Sequence, residues 1–281
     1  MEHGAVSLPV EEHPPRDAAS DSQAFYDQMW KDYGHLDAVS PAAFHRRRVV
    51  VRLAKQYAAH AGTILDVGCG QGELLREISD AIPGARVHGA DLSEQSLIDS
   101  RRYNPTFELF ELNLTHAQFA EKYGSRLSAF DFVVCSEVLE HIPEHELAAG
   151  HLLELLRPSG IAIVTVPGGK MSAFDKVIGH QRHYTRAKLE KLLADAGFEV
   201  IDVLAWGFPF HNFYRTAVRI ASGMAVQGGD KKAPGSTASK GVVSSMLGHA
   251  YSAFGKVLKP LFYLNGSRGG EQLIAVAKRR S

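Results

Sequence analysis

The chain predicts an α/β protein built on a mostly parallel sheet with helices on both faces, and three observations carry that prediction. Strand-length apolar runs alternate with helix-periodic segments from Thr63 to Ala205, the pattern of successive right-handed crossovers. The first of those strands runs into a glycine-rich turn, ILDVGCGQGEL, residues Ile64 to Leu74, at the strand end where such sheets bind ligands. With 45% hydrophobic and 22% charged residues in a chain of 281, a sizeable core can form.

Residues 1–21 carry Pro9, Pro14 and Pro15 among scattered charges and show no apolar face, so they read as a disordered leader. Residues 22–61 form an N-terminal helical cap: Phe25, Met29, Trp30 and Tyr33 recur at helical spacing, as do Phe44, Val51, Leu53, Ala54 and Tyr57 before Gly62. Residues 62–206 form the core. Its strands are Thr63–Val67, Arg86–Ala90, Glu108–Leu112, Phe130–Ser136, Ile161–Val166 and Glu199–Ala205; its helices are Glu73–Ala81, Ser93–Arg102, His116–Tyr123, Pro143–Leu156 and Arg186–Ala196. Arg157-Pro158-Ser159-Gly160 reads as a turn. Residues 207–270 break the rhythm with an aromatic run (Phe208 to Ile220), a polar linker and a second apolar run (Val242 to Leu264), and are expected to form a helical lid. Residues 271–281 hold the last strand, Gln272–Ala277, and a tail.

Lys plus Arg equals Asp plus Glu at 31 each, so no global field favours a nucleic acid and none is expected as a partner. Cys69 and Cys135 are the only cysteines, which excludes a disulfide framework and a cysteine zinc site and fits a reducing compartment. No signal-like segment or membrane-length apolar run is present, so a cytoplasmic location is expected.

Closely spaced glycines between a strand and a helix bring backbone N–H groups against a ligand. Here the third glycine, Gly72, arrives one place too early for a dinucleotide fingerprint, which disfavours a nicotinamide dehydrogenase. Neither this turn nor Gly168-Gly169-Lys170-Met171 has the Gly-Lys-Ser/Thr of a nucleotide-triphosphate loop. Asp66 and Glu73 flank the turn with carboxylates that repel phosphate and suit a cation. Asp91 ends the next strand, where a carboxylate can accept both hydroxyls of a ribose.

In these residues, Asp66-Val67-Gly68-Cys69-Gly70-Gln71-Gly72 and Asp91, the chain resembles the class I S-adenosylmethionine-dependent methyltransferases. The resemblance continues through Asn113-Leu114, through FDFVVCSEVLEHI at residues Phe130 to Ile142, and through LLRPSGIAIVTVP. It implies a Rossmann-like, seven-stranded sheet whose last strand is antiparallel, and S-adenosyl-L-methionine as cofactor. Asp66, Gly68, Gly70, Asp91, Asn113, Leu114, Ser136 and Glu137 are then the expected cofactor contacts. Asn113 stands where the family usually has an acid, and its side-chain oxygen is expected to take the adenine amine.

GHQRHYT, Gly179 to Thr185, follows the fifth strand, and Thr185 is a natural N-cap for the next helix. His180, His183 and Tyr184, with His141 from the fourth-strand loop, are the candidate catalytic groups. No metal is expected, because His180 and His183 have no evident carboxylate partner. Phe208, Phe210 and Tyr214 are candidate substrate contacts. Arg215, Arg219, Lys231, Lys232, Lys240, Lys256 and Lys259 face only Asp230 within that insertion, and with its aromatic wall this suits an apolar or anionic small-molecule acceptor or a peripheral membrane contact.

The expected reaction is methyl transfer to an oxygen or nitrogen of a small molecule. Aminocarboxypropyl transfer, cyclisation and a non-catalytic cofactor-binding module are the alternatives.

Overall fold

A computed structural model describes residues 19–228 and 260–281. The expected leader therefore lies outside the described residues except for its last three, which already belong to a helix, as does the linker with Asp230, Lys231, Lys232, Lys240, Lys256 and Lys259. Two helices, α1 (Ala19–Val39) and α2 (Pro41–Tyr57), precede the sheet. Ser40 separates them: its hydroxyl accepts from the Ala43 N–H and Pro41 takes the first helical position, where no N–H is needed.

The core then runs β1 (Thr63–Val67), α3 (Glu73–Ala81), β2 (Arg86–Asp91), α4 (Glu94–Tyr103), β3 (Glu108–Glu111), α5 (Phe119–Tyr123), β4 (Phe130–Ser136), α6 (His145–Leu155) and β5 (Leu156–Pro167). It continues through α7 (Ala173–Val177), α8 (Arg186–Asp195), β6 (Phe198–Trp206), α9 (Phe210–Gly228) and β7 (Gln272–Arg279). The strands form one seven-stranded sheet in the order β3-β2-β1-β4-β5-β7-β6. β1 to β5 pair in parallel and β7 lies antiparallel between β5 and β6. Chain direction across the sheet switches between β1 and β4, which opens a crevice at their carboxyl ends.

Alternation of side chains along the strands divides the core in two. Ile64, Phe132, Val134, Ile163 and Ile274 face α2 and α3, whereas Leu65, Val67, Val133, Cys135 and Val164 face α6 and α8. Both faces are apolar because both are covered. No helix among the described residues is long and apolar enough to cross a membrane.

Local side-chain chemistry moves several boundaries from their expected places. β5 begins at Leu156 because the Arg157–Gly160 stretch stays in the sheet through a register shift opposite Phe130 and Phe132, with Arg157 donating to Asp131 at 2.7 Å. α5 starts at Phe119, since Asn113 and His116 capture the Thr115 and Gln118 N–H groups that a longer helix would need. α7 was not expected, although Ser172 and Asp175 form a reciprocal capping box that opens it. Arg215 and Arg219, read as part of a locally basic insertion, pair with Asp175 and Glu271 from outside it.

Candidate functional site

A cavity of about 1430 Å³ opens at the carboxyl ends of β1, β2 and β4 and is roofed by α1, α2 and α9. A single small ligand usually occupies about 300–1,000 Å³, so a donor and an acceptor can lie here together.

At one end sits the glycine turn. Gly68 and Gly70 have φ of 71° and 54°, a left-handed conformation that side chains resist. A Cβ at Gly68 would collide with Val138, and one at Gly70 with the Trp30 indole of α1. The Gly68 and Cys69 N–H groups donate to Ala90 O at 2.7 and 3.0 Å, drawing the turn onto β2. Asp91 receives the Gly70 N–H at 3.0 Å and the Ser93 N–H at 2.9 Å. Those bonds hold the carboxylate in place where it lines the cavity. Asp27 of α1 accepts from Ser93 Oγ at 2.6 Å and from the Gln95 N–H at 3.1 Å, tying the roof to the same loop.

Asp66 lies beneath, 1% exposed, and neither oxygen has a donor within the protein. Burial first, then the charge of Asp91, hold its pKa up to about 8, against a smaller opposing pull from Arg46. A cationic ligand group beside it would relieve that desolvation.

Along the next wall, Asn113 and Leu114 line the cavity. The Asn113 oxygen accepts from Thr115 N at 2.8 Å and Thr115 Oγ1 at 2.9 Å. It closes a turn instead of standing free for an exocyclic amine. Ser136 contacts Thr165, and Glu137 accepts from Thr165 at 3.0 Å and Gln272 at 2.9 Å, so this carboxylate stitches β4, β5 and β7 together at the cavity floor.

The other end is rich in histidine. His141 and His180 line the wall with ring centroids 4.6 Å apart, edge to face. Tyr26 donates to His141 O at 3.3 Å. Behind them, His180 Nδ1 meets His183 Nε2 at 3.2 Å, and that nitrogen lies 3.6 Å from Asp175 Oδ2. Burial lowers His141 to about 3 and His180 to about 4. Both rings are therefore neutral near pH 7, where each offers a lone pair to a hydrogen-bond donor or an ion. Glu140 is wholly buried, has no hydrogen-bond partner at either oxygen, and is pushed well up by burial and by the charge of Glu137.

Several candidates from the sequence lie elsewhere. Tyr184 is core: it is 3% exposed, donates to Leu139 O at 3.2 Å and contacts His145 Nδ1 at 2.8 Å, outside the cavity wall. His183 stands behind His180. Phe208 is 55% exposed on the outer surface, and Phe210 packs against the Tyr33, Tyr214, Val218 and Phe262 cluster. Of those three substrate candidates, Tyr214 reaches the cavity. Sequence reasoning missed Trp30, Arg46, Glu140 and Asp175. Glu140 was within reach, three residues after Glu137 and next to His141, whereas Arg46 carries no signal beyond its place on a helix.

A family profile described as a methyltransferase domain matches residues 42–203. Among curated proteins, the chain is 37% identical over 101 residues to a ubiquinone biosynthesis O-methyltransferase of Aromatoleum aromaticum, covering 34% of this chain and 40% of that one. It is 26% identical over 138 residues to a trans-aconitate 2-methyltransferase of Azoarcus, covering 49% and 51%. The chain thus spans about half the length, or less, of these relatives. Among solved structures, the [4+2]-cyclase SpnF superposes with a TM-score of 0.59 at 18% identity, covering 95% of this chain and 98% of that one. Phosphoethanolamine N-methyltransferase 2 of Haemonchus contortus, in complex with phosphomonomethylethanolamine and S-adenosylhomocysteine, gives 0.52 at 17% identity, covering 82% and 52%. At these identities the structural likeness speaks to fold.

Proposed function

The chain belongs to the class I S-adenosylmethionine-dependent methyltransferases, and from that premise we propose that it moves the methyl group of S-adenosylmethionine to an oxygen of a small molecule, with nitrogen the second choice. The observation that carries the reading is the pair of buried carboxylates at the glycine turn. Asp91, pinned by Gly70 and Ser93, would accept the ribose hydroxyls. Asp66, buried without a donor, would face the α-ammonium. Gly68 and Gly70 admit the backbone close to the donor, and Leu114 and Ser136 complete its walls.

Methyl transfer needs the acceptor atom in line with the leaving sulfur at about 3–3.5 Å, in a site that excludes water. Trp30, Tyr26 and Tyr33 on α1 and Tyr214 on α9 close the cavity above that position. Neutral His141 and His180 at its far end would hold the acceptor by hydrogen bonds. The preference for oxygen is supported by O-methylating relatives.

The test is incubation with S-adenosylmethionine and panels of phenols, carboxylic acids and amines, read by mass spectrometry. S-adenosylhomocysteine with a product heavier by one methylene is the expected result. Methylthioadenosine in its place would convert the reading to aminocarboxypropyl transfer or cyclisation. Tight S-adenosylmethionine binding without turnover across all panels would leave a cofactor-binding module.

A further inference from the structure

The geometry points to a divalent transition-metal site formed by Glu140, His141 and His180 in the wall of the cavity. No carboxylate partner of His180 and His183 is evident from residue order; the fold brings two close, Glu140 and Asp175. Ligand atoms of Glu140, His141 and His180 all lie within 4.8 Å of one another, as do those of Asp175, His180 and His183.

The two triads are not equivalent. Asp175 is already satisfied, taking the Ser172 N–H at 2.6 Å and the Arg215 guanidinium at 3.3 and 3.2 Å. Glu140 is 0% exposed and neither of its oxygens has a donor. A buried carboxylate without a donor is costly unless a cation completes it. Glu140 Oε1 stands 4.0 Å from His141 Nε2. Tetrahedral bonds of about 2.0–2.2 Å place ligand atoms ~3.4 Å apart, so small side-chain adjustments close the set.

One of the two histidines has the kind of supporting bond that metal histidines use. His180 Nδ1 lies 3.2 Å from His183 Nε2, to which it would donate, and Nε2 remains as the ligand atom. Such a second layer fixes tautomer and ring orientation. The loop carrying His180 is also bound to the turn carrying Glu140: the Gln181 N–H donates to Glu140 O at 2.8 Å, and Arg182 donates to the carbonyls of Ile142 and Pro143. Both ends of the triad are thereby positioned in advance.

Two imidazoles and one carboxylate suit zinc, manganese, iron(II) or cobalt(II) more than magnesium or calcium. His141 and His180 face the cavity, so the ion's remaining positions point to the acceptor end and would take one or two acceptor oxygens. That last role rests on the methyl-transfer reading; uptake of the ion does not.

The decisive experiment treats the full chain, stripped with chelator, with cobalt(II) chloride and follows visible ligand-field bands and calorimetry. About one equivalent should bind. Glu140→Gln and His180→Ala should each weaken binding at least ~10-fold, with far-UV circular dichroism and S-adenosylhomocysteine binding as checks on folding. His141→Gln serves if either variant fails those checks. His183→Ala should retain the ion with a weakening of about 10–100-fold. No cobalt uptake by the wild type, or equal uptake in Glu140→Gln and His180→Ala, overturns the site. Loss in Asp175→Asn with full uptake in Glu140→Gln overturns it in favour of the other triad. A chain that binds cobalt but never yields S-adenosylhomocysteine removes the proposed reaction and keeps the metal; the reverse pattern removes the metal alone.

Discussion

At the end of the cavity proposed for the methyl donor, the polar lining groups hang from residues 66–93, on two adjacent parallel strands and the turns that follow them. At the acceptor end, Glu140 and His141 come from the turn after β4, Asp175 from α7, His180 and His183 from the loop before α8, and Tyr214 from α9. The first arrangement is local, and its shape is set by backbone: left-handed glycines and N–H groups gripping Asp91. The second is assembled by side chains from distant segments and held by cross-bonds between loops. Backbone geometry tolerates little substitution, whereas a side-chain assembly can be re-sorted one residue at a time.

The sharpest break of this contrast is Gly70→Ala. It places a Cβ on the Trp30 indole at φ 54°, and S-adenosylhomocysteine affinity should fall about 100-fold by calorimetry, from left-handed strain of about 1–2 kcal/mol plus the displaced ring. A fall under threefold would mean that the turn is not set by its backbone.

Next in size is Asp91→Ala, which should cost about 1–3 kcal/mol of cofactor binding. Unchanged affinity would remove the ribose contact and the donor assignment with it.

A smaller effect separates Asp66 from its neighbours by pH. Its pKa in the folded protein is raised to about 8, by burial and then by Asp91, so the folded chain binds a proton that the unfolded chain has lost above about pH 4. Stability without ligand should therefore decline as pH rises from about 4 to 8 on this account. A cofactor ammonium favours the ionised form, so binding releases the proton and affinity climbs with pH, by at most about tenfold per unit, levelling above 8. Calorimetry in buffers of differing ionisation enthalpy should show the release in the wild type and its loss in Asp66→Asn. Equal proton counts in the two proteins would show that Asp66 does not meet the cation.

The smallest expected change is Tyr184→Phe. Removing a hydroxyl that holds Leu139 O and His145 should lower stability by about 1 kcal/mol in thermal melts and leave kcat within a few-fold. A hundredfold loss in kcat would return Tyr184 to the catalytic groups.

Legibility followed the same divide. Asp66, the glycines and Asp91 stand in a fixed spacing at strand ends, so the donor end could be read from composition and order. GHQRHYT was legible as a ligand-facing loop, yet nothing in the string says that Tyr184 turns inward to Leu139 while His180 turns to the cavity; that choice is made by packing against α6. Phe208 lies exposed before α9 and Phe210 packs into a side cluster, and the start of that helix is tied to Asn265, whose side chain accepts from the Phe210 and His211 N–H groups across 55 and 54 positions of sequence. Asp175 and Arg46 gave no sign because their importance lies in what the fold sets beside them.

The grip of Asp27 on Ser93 and Gln95 also bears on how such a protein can be rebuilt. Cap and sheet are joined through the very loop that positions Asp91, so the first helix is not an interchangeable part. Exchanging it for the helix of a relative to borrow that relative's acceptor would disturb the donor seat as well, unless a carboxylate at position 27 travelled with the graft.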